Sequence, residues 1–271
     1  LTHRTIETSH AGIAIAQSPG EGPTVLMIHG NSSCKEVFRN QLDGDIGATY
    51  RCIAMDLPGH GRSDDATDPE RTYSMPGYAD AAIELMRELG HERYAMLGWS
   101  LGGHIGLEML TRTDAIRGLM ITGTPPVGRG EEQLAAGFLP SEHMGLAGQR
   151  DLSEEEIDAY ARATCGINAP FEPFLREAVA RTHGHARELM LGSFARGVGA
   201  NQREAAVNAP VPLAVVNGAE EPFVNNEFVA ALPYRNLWED RVHLMDGIGH
   251  APFWEAPEAF DVYLERFLES I

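Results

Sequence analysis

Residues 94–110 read YAMLGWSLGGHIGLEML. A short apolar run, 94–97, breaks at Gly98-Trp99-Ser100-Leu101-Gly102, and a helix-like run follows. Such a corner suits a strand that turns abruptly into a helix. Glycines on either side of Ser100 let the two elements approach without Cβ clashes, and the tight turn strains the serine's backbone. Two readings stand open at this point. Either the turn simply needs small residues, or the serine is held out as a nucleophile in the G-x-S-x-G pattern, which requires this strand-to-helix context.

The rest of the chain alternates in the same way. Alternating stretches at 4–9 and 12–17 flank His10-Ala11 and predict an opening hairpin. TVLMIHG, 24–30, has no polar residue before His29 and reads as a buried strand. Further strands are expected at 51–56, 94–97, 116–122 and 212–218, with a weaker one at 242–246. Between them, 74–90 reads as a helix: Tyr78, Ala82, Leu85, Met86 and Leu89 share one face, Ser74 can cap it and Gly90 can end it. A second helix is expected over 101–112. In the last helix Phe260, Tyr263, Leu264, Phe267 and Leu268 follow helical spacing, with Pro257 near its start.

Strands alternating with helices imply an α/β fold: a mostly parallel central sheet with helices on both faces. Between about 125 and 208 the rhythm fails. That stretch holds only helix-like pieces, the best being SEEEIDAYARAT, where Ser153 and Glu156 are spaced as a capping box. It reads as an inserted helical cap. The chain then divides into a core of 1–125 and 209–271 and a cap of 126–208.

Composition excludes several functions. With a net charge of −18, clustered Lys and Arg for a phosphate backbone are lacking, so no nucleic-acid partner is expected. No run approaches the ~20 apolar residues of a membrane span, and a membrane partner is not expected either. LTHRTIETSH lacks the layout of a secretory signal. Cys34, Cys52 and Cys165 are few and widely spaced, which fits reduced thiols and a cytoplasmic setting.

A serine hydroxyl needs a base to be nucleophilic. Among eleven histidines, His250 stands in DGIGHAPFWE, a Gly-flanked loop just ahead of the terminal helix, where the chain order Ser…acid…His puts the base. His243 reads as a surface or strand residue. The acid is expected after the strand PLAVVNG, in Gly218-Ala219-Glu220-Glu221-Pro222. Glu221 holds the expected offset from the glycine and precedes proline. Glu220 competes with it, Asp246 and Asp56 lie outside the pattern, and the strand ending ITGTPP offers no acid. After the first central strand comes His29-Gly30-Asn31-Ser32, where the backbone N–H of Asn31 can join that of Leu101 as an oxyanion hole. The Asn31 side chain is free for the turn or for substrate. His60 and Arg62, in the loop LPGHGRSD, read as structural.

The pieces HGN, PGHGRS, GWSLGG and a terminal GHAP, in this order, resemble the α/β-hydrolase superfamily. GNSS, GWSLGGHIG, RGLMITGTPPV, AVVNGAEEPFV and GHAPFWEAP together resemble its metal-independent N-acyl-homoserine lactonases, quorum-quenching bacterial enzymes that open the lactone ring of acylated signals. The resemblance spans nearly the whole chain, includes the uncommon Glu at the acid position, and is weakest at roughly 127–150. It implies a catalytic triad of Ser100, His250 and Glu221, oxyanion amides at Asn31 and Leu101, and a lactone contact from Tyr160, which spacing alone would place in a core beside Ile157. It implies no metal or other cofactor. The dinuclear zinc lactonases of another fold carry an HxHxDH run that this chain lacks, and His183-Gly184-His185 reads as a cap loop.

An acyl tail needs an apolar slot, with Trp99, Phe138, Met144, Phe253 and Trp254 as candidate walls. The expected partner is a small acyl lactone or ester, bound by a monomer or weak homo-oligomer. Rival readings keep the same fold. One is a general carboxylesterase or perhydrolase using the same triad; another is a receptor that binds a small lactone without turnover.

Overall fold

The computed structural model describes residues 1–271. Eight strands form one sheet: β1 (Thr2–Glu7), β2 (Gly12–Gln17), β3 (Thr24–Ile28), β4 (Arg51–Met55), β5 (Tyr94–Trp99), β6 (Ile116–Thr122), β7 (Leu213–Gly218) and β8 (His243–Met245). Their order is β1-β2-β4-β3-β5-β6-β7-β8. β1 and β2 pair antiparallel and β2 pairs antiparallel with β4, while every later pairing is parallel. The order reverses between β3 and β5. A crevice opens at the carboxyl ends of strands on either side of such a switch point, the usual ligand position in open α/β sheets.

Side-chain alternation makes the sheet two-faced. Leu26 and Ile28 of β3 belong to one core with Tyr78, Ala82 and Leu85 of α1 (Met75–Glu88) and Ile105 and Leu107 of α2 (Leu101–Met109). Between β6 and β7 the chain makes helices only, chiefly α3 (Glu154–Thr164), α4 (Pro173–Arg181) and α5 (Gly184–Ala195). Val25 and Met27 of β3 face the second core, built with Phe260, Leu264 and Phe267 of α6 (Pro257–Glu269). A slip of one residue would exchange the two faces.

The caps stand where expected. Gly77 N donates to Ser74 Oγ at 3.1 Å, Gly90 takes a φ of +78°, and the reciprocal Ser153–Glu156 box opens α3. Boundaries moved modestly: β5 runs through Trp99 rather than ending at 97, and α2 stops at Met109 rather than 112. Several one-turn helical pieces over 35–49 were not anticipated. They start at Lys35, a lysine only 2% exposed, whose backbone N–H and Nζ each donate to the buried Asp56 carboxylate at 2.7 Å. That pair ties the loop after β3 to the end of β4. No helix is long and apolar enough to cross a membrane.

Candidate active site

Ser100 joins β5 to α2 at φ +52° and ψ −114°, a region that side chains other than glycine rarely occupy. Its backbone is held at both ends: its N–H donates to Thr122 O at 2.9 Å, and its carbonyl accepts from Thr124 Oγ1 at 2.9 Å. The neighbouring glycines are obligatory. A Cβ on Gly98 would lie 2.5 Å from Gly102 O, and one on Gly102 would lie 2.0 Å from Ile28 O. Strand, helix and the loop after β3 therefore meet with no room for side chains, and Ser100 is what projects from the corner.

His250 is buried, in the loop between β8 and the short helix Pro252–Glu255. Its Nδ1 lies 2.8 and 2.9 Å from the two carboxylate oxygens of Glu221, whose side chain is 0% exposed. Glu221 Oε1 also accepts from Phe223 N at 3.0 Å. A carboxylate at Nδ1 directs the ring proton there and leaves Nε2 as the acceptor. Trp99 Nε1 donates to His250 O at 2.8 Å, and the Phe223 ring meets the imidazole edge-on at 4.8 Å. On the far side Gly123, at φ +62°, touches the ring: a Cβ there would lie 2.8 Å from His250 Cε1. Ser100 and His250 line the same cavity, without a hydrogen bond between their side chains.

Glu220 is exposed, and of the two adjacent acids only Glu221 is bonded to the histidine. Asp246 is exposed, Asp56 is engaged by Lys35, and His243 lies on β8 against Trp238, 4.9 Å between rings. His60 is buried, with Nδ1 on Pro58 O at 3.1 Å. Leu101 is the first residue of α2, where a backbone N–H has no intrahelical partner. The Asn31 side chain spans to the helices above the sheet: Nδ2 donates to Ala147 O at 2.8 Å and lies 3.4 Å from the Tyr160 hydroxyl. Tyr160 itself is 5% exposed, and burial pushes its phenol up to about 12.

The cavity measures about 80 Å³ and is mostly apolar. Trp99, Phe138, Met144 and Tyr160 line it; Phe253 and Trp254 do not. These two expected walls face the second core instead, because the helix begun by Pro252 turns them under the sheet. Phe253 packs 4.9 Å from Phe38 and 5.2 Å from Trp99. Trp254 donates to Pro170 O at 3.1 Å and carries the Arg39 guanidinium 4.7 Å over its ring. The apolar walls come instead from Met75, Met190, Leu191, Phe194, Phe223 and Val224. His104 also lines it; its place in the sequence, one turn into the helix that follows Ser100, is the signal for it. No three His, Cys, Asp or Glu side chains converge as a metal cluster.

Comparison with known proteins agrees with this architecture. The first curated relatives match over little of their length: a 108-residue stretch, 40% of this chain, is 33% identical to an uncharacterized protein of Mycobacterium bovis and covers 30% of it. A 2-hydroxy-6-oxononadienedioate/2-hydroxy-6-oxononatrienedioate hydrolase of a Pseudomonas species is 28% identical over 90% of this chain and 87% of its own. Among solved structures, N-acyl homoserine lactonase AidH complexed with N-butanoyl homoserine superposes with a TM-score of 0.96 at 53% identity, covering 99% of this chain and 96% of that one. A serine-to-glycine mutant of AidH complexed with N-hexanoyl homoserine lactone gives 0.96 at 52% identity, over 99% and 97% of the two chains. The model of the alpha/beta hydrolase family matches residues 25–261. With that match over most of its length, and a doubly covered sheet that turns into a helix at Ser100, the chain belongs to the alpha/beta hydrolase family.

Proposed function

We propose that this enzyme opens the lactone ring of N-acyl-homoserine lactones, with Ser100 as nucleophile, His250 as general base and acid, and Glu221 as the carboxylate that orients His250. The observation that carries this reading is the buried Glu221–His250 pair, bonded through Nδ1 at 2.8 Å, facing the cavity into which the strained Ser100 projects. The 53% identity to a homoserine lactonase over 99% of the chain supports the substrate class.

In this mechanism His250 Nε2 takes the Ser100 proton as Oγ attacks the lactone carbonyl. The tetrahedral oxyanion is met by the backbone N–H groups of Asn31 and Leu101, each such donor being worth ~3 kcal/mol of barrier. The imidazolium, held by Glu221, then protonates the ring oxygen as the carbonyl–oxygen bond breaks. Because the leaving alcohol is part of the same molecule, the acyl-enzyme keeps every atom of the lactone. A water deprotonated by His250 attacks the ester, and N-acyl-homoserine leaves with Ser100 reprotonated. Tyr160 and Asn31, already in contact, position the ring. Residues 126–208 act as the cap over a core of 1–125 and 209–271, and the apolar wall takes the acyl chain.

Rapid acid quenching during turnover of N-hexanoyl-homoserine lactone, followed by intact-protein and peptide mass spectrometry, tests this. A mass gain equal to the whole lactone, on the peptide containing Ser100, is expected. An adduct on another residue would overturn the assignment of the nucleophile. Cleavage of p-nitrophenyl acetate with no ring opening would favour a general carboxylesterase.

A further inference from the structure

The cavity carries a second histidine that the ring opening does not use. His104 stands one turn beyond Ser100 on α2, its backbone N–H donating to Ser100 O at 3.1 Å. The two residues lie about 6 Å apart along the helix axis, and both line the cavity. His104 is 5% exposed, lies 5.8 Å from the Phe138 ring and 5.1 Å from the Phe194 ring, and lines the cavity. Its Nδ1 is 2.5 Å from Gln202 Oε1, while Gln202 Nε2 lies 3.4 Å from His104 O.

These two contacts fix the tautomer. A backbone carbonyl can only accept, so the Gln202 amide nitrogen must face it and Oε1 must face the ring. Nδ1 therefore carries the proton and Nε2 keeps a bare lone pair. No protein group donates to that lone pair. Burial pulls the imidazole down to about 4, which keeps it neutral near pH 7. A fixed acceptor in an apolar wall favours a ligand group that donates and opposes one that can only accept.

Resting on the lactonase reading, we propose that His104 sets acyl specificity: it selects chains with a hydroxyl at carbon 3 over chains with a carbonyl there. Carbon 3 of the acyl chain lies five bonds from the lactone carbonyl carbon, a reach comparable to the rise from Ser100 to His104. A 3-hydroxyl can donate to Nε2. A 3-oxo group brings only lone pairs against a lone pair.

The test measures calorimetric binding of N-(3-hydroxyhexanoyl)- and N-(3-oxohexanoyl)-homoserine lactone to the Ser100→Ala protein, with kcat/KM for both on wild type. The 3-hydroxy lactone is expected to be favoured about tenfold in both measurements. His104→Phe should bring the ratio close to one. Gln202→Glu places a carboxylate at Nδ1, favours the imidazolium and turns Nε2 into a donor, so the ratio should move toward the 3-oxo lactone. Equal affinities in the Ser100→Ala protein, or a ratio untouched by both substitutions, overturn the proposal. Binding of neither lactone overturns it together with the lactonase reading. A binding preference with no wild-type turnover upholds the selectivity and overturns that reading alone.

Discussion

On the sheet side of the cavity, positions are set by the backbone. Ser100 at φ +52° and Gly123 at φ +62° leave no freedom to the turns that carry or brace the reactive groups, and Glu221 is fixed by one main-chain bond and one imidazole. On the helical side, positions are set by packing. Tyr160 sits in a small cluster with Ala147, Ile157, Ala161 and Val179, and Arg187 of α5 pins that layer by donating to the carbonyls of Gln149, Arg150, Val179 and Thr182. The Asn31 amide bridges the two sides. The difference teaches how tolerance divides in the molecule: Ser100 and His250 are held by constraints that one added methyl violates, whereas the apolar cavity walls on the helical side are held by side-chain packing.

Substitutions should show that division in order of size. On the proposed mechanism Glu221→Gln leaves His250 in the wrong tautomer and should cost about 10⁴-fold in kcat, while Glu220→Gln, on an exposed side chain, should leave kcat unchanged. Steady-state kinetics on both variants decides it, and equal losses would remove Glu221 from the triad. Gly123→Ala forces a Cβ to 2.8 Å from His250 Cε1 at a positive φ. A displacement of the base by about 1 Å costs about 100-fold, and the strain should lower stability by about 1–3 kcal/mol. Wild-type kinetics in that variant would show that the base tolerates movement, erasing the contrast between the two sides. Tyr160→Phe removes one hydroxyl from the helical side and should lower kcat/KM for lactone about tenfold without moving the unfolding midpoint. An unchanged rate would make Tyr160 a packing residue only. Smallest is the effect of the tail: each added acyl methylene should lower KM by at most about fourfold, the equivalent of ~0.8 kcal/mol. A sudden loss at one chain length would show a rigid wall instead.

Legibility in the sequence follows the same division. Ser100, Glu221 and His250 stand in loops whose glycines and prolines mark sharp turns at strand ends, and that chemistry is local. The two-faced sheet was readable because alternation along a strand is local too. The apolar wall was not. Met190, Leu191 and Phe194 on α5 look like ordinary core positions, since a helix that faces a cavity and one that faces a core need the same apolar residues. Phe253 and Trp254 follow His250 closely in sequence, yet one proline-started turn sends them into the opposite core. Nothing in the residues around Lys35 marks it as buried, because its partner Asp56 lies on another loop.

The most direct test is mass spectrometry of N-hexanoyl-homoserine lactone incubated with wild-type, EDTA-treated and Ser100→Ala protein. A Ser100 nucleophile predicts gain of one water by the lactone with the first two and at least a 10⁴-fold slower gain with Ser100→Ala. Ring opening by Ser100→Ala at a rate near wild type would contradict it.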